Sequence, residues 1–203
     1  MKKLQVTIEF ITDVLGSSPS SKTVYRDYVE SKSPDTNTMA EEIFLTGVDE
    51  VTDKGMTIFP KDKDGRPFFW DYQIRGFFKS ACGFLRRCKD ESFAKASCKM
   101  TAYKKVIDGC IFVEPRQIFI DLRGGKIGNC QRPLRAQTAQ GERVALANSE
   151  SIPAGSRITF IVTVMSDAYE KAVREWLTYG RYTGLGQWRN GGHGRFKVLS
   201  IEE

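Results

Sequence analysis

Residues 4–10 alternate strictly, with Leu4, Val6, Ile8 and Phe10 apolar and Gln5, Thr7 and Glu9 polar between them. That two-residue period belongs to a strand with one buried face and one wet face. The stretch SRITFIVTVM, 156 to 165, repeats the pattern late in the chain. Two half-buried strands so far apart need a shared cover on one side only. The natural cover is a helix with a matching apolar stripe. Ile74, Phe77, Phe78, Ala81, Phe84 and Leu85 supply one at helical spacing, and Arg75, Lys79, Arg86 and Arg87 lie on its other face.

The remaining elements are read around this frame. GSSPSS at 16–21 is a loop, and the polar stretch 22–48 has helical hints at TVYRDYVES and TMAEEIFLTG. Residues 55–71 suggest a hairpin turning at Asp64-Gly65. Asp71 is placed as the cap of the helix that runs through about Arg87. Residues 89–108 are polar and ambiguous. CIFVEP and QIFIDL are short strands, followed by a long basic excursion before the strand at 156. Asp167 with Glu170 forms a variant capping box for a helix ending at Gly180, read as the C′ position. RFKVLSI is a last strand. The order predicts an α+β fold, a ferredoxin-like or RRM-like antiparallel sheet with helices on one face. One domain is expected over 1–203, with insertions at about 16–54 and 121–145.

Composition limits the function classes. The chain has 203 residues, 40% apolar and 28% charged, as in ordinary globular proteins. A net charge of +6 favours a polyanionic partner. There is no long apolar run, so no membrane span is expected. Gln5, Thr7 and Glu9 interrupt any signal-peptide core, and a cytoplasmic protein is expected. Five cysteines with no Cys-x-x-Cys and one histidine match no zinc site, so they read as reduced thiols. No metal or cofactor is expected.

The most unusual stretch is YGRYTGLGQWRNGGHGRFKVLS, 179 to 200, with glycines at 180, 184, 186, 191, 192 and 194 and no acidic residue from Trp176 through Ile201. It follows a helix and precedes a strand, the reverse of a P-loop or a dinucleotide fingerprint. Two readings stay open. One is an RNA-backbone clamp, with Arg181, Arg189 and Arg195 on phosphate and Trp188 or Tyr182 on a base, while Gly184, Gly186, Gly191 and Gly192 clear the space between. The other is a tight connection that needs positive φ. The density of glycine and the lack of acid favour the clamp.

With this loop, three further stretches resemble the RAMP superfamily of CRISPR-associated RNA-binding proteins. The opening strand running into ITDVLGSS is similar to the family's first strand and turn. DGRPFFWDYQIRGFFKSACGFLRR resembles its turn, apolar run and basic helix. RVALANSESIPAGSRITFIVTVM matches a family strand motif at Glu150, Pro153, Gly155 and Phe160. All four occur in the family's order, and the nearest type is the backbone subunit of type III effector complexes. The resemblance implies a single-stranded RNA partner, gripped by its backbone, and assembly with copies of itself or with effector subunits. It implies phosphate contacts at Arg75 and Lys79, and a thumb within 123–143 carrying Arg132 and Arg135.

Departures from the family bear on catalysis. Target-cleaving subunits carry an Asp at a place that falls near Gly55 here, with Asp49 and Asp53 out of register. Processing endonucleases use a histidine near the N-terminal helix, whereas His193 lies in the glycine loop. His193 reads as a backbone-satisfying or RNA-contacting side chain before a catalytic one; it is the one catalytic candidate, and a non-catalytic RNA-binding protein is the leading reading. The alternatives are a metal-independent endoribonuclease, and a viral or mobile-element mimic that inhibits an effector complex.

Overall fold

The structure is a computed structural model. It describes residues 1–19, 56–89, 91–138 and 141–203, with backbone alone at 19, 91, 134–138 and 141–146. The helical hints at 22–48 lie outside the described residues. In chain order the elements are β1 (Lys2–Phe10), β2 (Val14–Leu15), β3 (Ser18–Pro19), β4 (Thr57–Ile58), β5 (Phe68–Trp70), α1 (Asp71–Cys88), α2 (Glu91–Lys99) and α3 (Tyr103–Cys110). They continue with β6 (Ile111–Glu114), β7 (Gln117–Asp121), β8 (Gly128–Thr138), β9 (Gly141–Ile152), β10 (Arg157–Val164), α4 (Asp167–Tyr179), a 3₁₀ turn at Arg189–Gly191 and β11 (Phe196–Glu202).

The chain divides into two compact units. The first comprises Met1–Val14, Pro60–Lys126 and Ile152–Glu203. Its sheet runs β11-β1-β10-β7-β5, with β6 beside β7 on the same edge of β10. Every pairing in it is antiparallel. If β6 and β7 are counted as one interrupted strand, the order is fourth-first-third-second, with α1 after the first strand and α4 after the third. That is the ferredoxin-like arrangement expected from the sequence.

The alternation in β1 works as its period requires. Leu4, Val6, Ile8 and Phe10 are buried, while the residues between them face outward. β10 lies in register with β1 over Lys2↔Val164 to Glu9↔Arg157, so Ile158, Phe160 and Val162 join the same buried face. Against it pack Ile74, Phe77, Phe78, Ala81, Cys82 and Leu85 of α1 and Val173, Trp176 and Leu177 of α4. Phe84 departs from the expected stripe. It is exposed, with Arg87 over its ring, and Cys82 takes the buried place. Burial pushes the Cys82 thiol up to about 11.

Three expectations need correction. Asp71 is the first helical residue of α1 and not its cap. The Gln73 side chain accepts the Trp70 amide at 2.8 Å, and Asp71 turns to arginines. The cap of α4 is Ser166, whose Oγ accepts the Ala168 amide at 3.3 Å. Gly180 has ordinary helical φ of −56°. It is glycine for space, since a Cβ there would stand 2.2 Å from the Phe196 ring.

The ambiguous stretch 89–108 holds α2 and α3. α2 breaks at Ala94, and its second half restarts against α4. The Glu175 carboxylate accepts the amides of Ala96 (2.7 Å) and Ser97 (2.9 Å) and the Ser97 hydroxyl, which in turn accepts Trp176 Nε1–H. A partner from another helix thus does what a local cap would otherwise do.

The second unit comprises Leu15–Phe59 and Ile127–Ser151. The basic excursion is a long antiparallel ribbon, β8 against β9, paired from Gly128↔Ser151 to Thr138↔Gly141. β4 pairs with β3 and, in parallel, with β9. The apolar run at 56–59 therefore does not pair with β5, and the hairpin at 60–68 is shorter than the sequence suggested. Its turn is real. Asp62 accepts the amides of Asp64 and Arg66, and Gly65 takes φ of +78°.

Candidate nucleic-acid interface

The glycine loop is closely packed, and most of its glycines have an identifiable job. A Cβ on Gly184 would stand 2.1 Å from the Gly194 carbonyl, and one on Gly194 would stand 1.8 Å from the Leu185 oxygen. The two strands of the loop touch through bare backbone, joined by the Leu185 amide donating to Gly194 O at 3.0 Å. Gly186, Gly192 and Gly194 also have positive φ, which a side chain would strain. A Cβ on Gly191 would meet the Trp188 ring at 2.7 Å.

The loop is tied to the end of β1. Gly194 N–H donates to Asp13 O, Thr12 Oγ1–H donates to Gly192 O, and Arg195 N–H donates to Thr12 Oγ1. His193 stacks on Trp188 with centroids 5.0 Å apart, and its Nδ1 lies 3.3 Å from Asp13 O. The tight-connection reading therefore accounts for the glycines themselves. It does not account for what the loop presents outward. Tyr182 is 65% exposed and Trp188 44% exposed, flanked by exposed Arg181 and Arg189. Among the described residues neither of these arginines is paired with a carboxylate. Arg195 is half-buried.

The start of α1 is linked to the loop through the core. The link is a chain of rings: Phe196 meets Phe77 at 5.1 Å and Phe10 at 6.4 Å, and Phe10 meets Phe69 at 6.2 Å. Here the expected phosphate contacts are already engaged inside the protein. Arg75 Nη2 donates to buried Asp71 at 3.1 Å, and Lys79 pairs with Asp108 at 2.5 Å. Arg116 also donates to Asp71, at 2.7 Å, and its guanidinium lies over Trp70 (5.3 Å) and Tyr72 (5.7 Å). Sequence reasoning missed Arg116, Trp70 and Tyr72. Only the β5–β7 register, Trp70↔Gln117, brings Arg116 beside them.

In the second unit Arg132 is 8% exposed, its Nη1 donating to Ser149 Oγ at 3.1 Å within the β8–β9 ribbon. Arg135 lies on β8 opposite Val144. Asp49, Asp53 and Gly55 lie outside the described residues. Among the described residues no three His, Cys, Asp or Glu side chains gather as a metal site. The five cysteines are free thiols. Among the described residues no helix is long and apolar enough to cross a membrane.

A chain from the type III-B Cmr-beta complex, solved bound to cognate target RNA, is similar in fold, with a TM-score of 0.54 and 12% identity. The match covers 98% of this chain and 59% of that one, so this chain spans about three fifths of the length of the chain it matches. At this identity the likeness is one of fold, and it agrees with the ferredoxin-like strand order. No protein-family model and no curated protein matches the sequence.

Proposed function

We propose that this chain is a RAMP-type protein that grips the backbone of single-stranded RNA, without cleaving it, as a subunit of a CRISPR effector-like assembly. The observation that carries the reading is the outward face of the glycine loop. Arg181 and Arg189 are exposed and unpaired with acid among the described residues, and exposed Tyr182 and Trp188 stand beside them. Cations for phosphate and rings for bases are the contacts by which proteins bind single-stranded nucleic acid without regard to sequence. The fold likeness to a chain of an RNA-bound effector complex supports the same reading. A partner of this kind includes further copies of the chain along one RNA.

The endoribonuclease alternative would use His193, the one histidine of the chain, as general acid or base. His193 is laid on Trp188 with Nδ1 at the Asp13 carbonyl, and RNA cleavage in EDTA that is lost in His193→Ala would favour that alternative. Purification without nuclease, followed by absorbance at 260 and 280 nm with light scattering, tests the proposal. The expected result is a nucleic-acid-rich species that shrinks as salt strips the RNA. A small, nucleic-acid-free species that binds no added single-stranded RNA would overturn it. If that species instead captured effector subunits without RNA, the mimic reading would take its place.

A further inference from the structure

We infer that Trp70, Tyr72 and Arg116 form a platform on which a nucleobase of the bound RNA stacks. The inference rests on the RNA-binding reading and adds a base contact to it at a place away from the glycine loop. The Arg116 guanidinium spans two rings, Trp70 and Tyr72, that are nearly parallel (14° apart, centroids 6.4 Å). It is not loosely laid there. Arg116 Nη1 donates to Asp71 Oδ1 at 2.7 Å, and Arg116 O accepts the Asp71 amide at 3.1 Å. Phe68 meets the Trp70 ring edge-on at 4.9 Å and fixes it.

Despite these contacts the Arg116 side chain is 65% exposed and Tyr72 is 48% exposed. Planar, preorganised surface therefore faces outward. Asp71 serves both Arg75 and Arg116, so two cations share one carboxylate and one positive charge is left over. A guanidinium plane and a phenol ring are the surfaces on which unpaired bases stack, and the excess charge suits the attached phosphate. Stacking of this kind tolerates any base, so the platform contributes affinity rather than sequence preference.

The test compares a short oligouridylate with an oligonucleotide of the same length whose sugars carry no bases. Phosphates are equal in number, so the affinity ratio isolates the base contacts. Wild type is expected to prefer the oligouridylate by on the order of tenfold or more. Tyr72→Ala and Arg116→Lys should each cut that ratio by about fivefold and leave the affinity for the abasic strand nearly unchanged. Arg116→Lys keeps the charge and the Asp71 pair, so a loss there reports on the guanidinium plane. Unchanged ratios in both variants, with circular dichroism matching wild type, would overturn the platform and leave backbone binding standing. Failure of wild type to bind either strand would overturn both.

Discussion

The glycine loop and the start of α1 carry similar sequence signals and meet different fates. Both hold cations among aromatics. In the loop Arg181 and Arg189 stay exposed and unpaired with acid among the described residues, while in α1 Arg75 and Lys79 are tied to Asp71 and Asp108. The difference lies in the acids nearby. No Asp or Glu occurs between 176 and 201, whereas Asp71 lies one turn before Arg75 and the fold brings Asp108 to Lys79. A cation counted in a sequence offers its full charge to phosphate only where the fold supplies it no acid. Charge reversal at Arg75 would therefore set a new carboxylate against buried Asp71 and damage the fold before it reported on RNA.

Glycines separate the two regions most sharply. Gly194→Ala drives a Cβ into the Leu185 carbonyl at positive φ, and a loss of about 2–4 kcal/mol in unfolding free energy is expected. Gly76→Ala in α1 meets nothing within 4 Å, and a gain of about 0.5–1 kcal/mol is expected. Urea denaturation of both variants checks this, and equal effects would remove the distinction between a packed loop and an open helix face. Next in size, Asp71→Asn leaves Arg75 and Arg116 without their shared charge. A loss of about 2 kcal/mol is expected, read in the same denaturation assay.

The smallest effect is expected in acid. Lys197 and then Arg157 hold the Glu9 carboxyl below its ordinary range, and Lys2 and then Arg174 do the same for Glu170. Groups lowered in the folded state contribute their stability above the unfolded pKa. That contribution is lost as pH falls through the folded pKa. The thermal midpoint should therefore fall more steeply below about pH 4.3 in wild type than in Glu9→Gln. Parallel curves would show that the Glu9 pairs add nothing.

Much of this was legible in the residues, and most of the exceptions share a cause. The alternation in β1 and β10 and the stripe in α1 are local signals, and they place the core sheet and its cover. The break and restart of α2 are not local, because their cap is Glu175, about eighty residues away. The β8–β9 ribbon carries no apolar alternation and is defined by its mutual pairing. The caps are a separate and local matter, since both expected caps lie one residue past the observed N-cap. Asp71 and Asp167 are acidic and look like caps, but the Gln73 side chain and Ser166 reach the free amides. Within the candidate interface the loop's arginines could be read directly. The Trp70–Tyr72–Arg116 cluster could not, since strand register alone assembles it.

The most direct measurement is the salt dependence of single-stranded RNA affinity for wild type and for the Arg181→Glu, Arg189→Glu double variant. Each lost phosphate contact lowers the slope of log affinity against log salt by about 0.7 for a single strand. The expected result is a wild-type slope larger by about 1.4, with weaker binding and an unchanged thermal midpoint in the variant. Identical slopes and affinities would contradict the assignment of the glycine loop as the RNA-gripping surface.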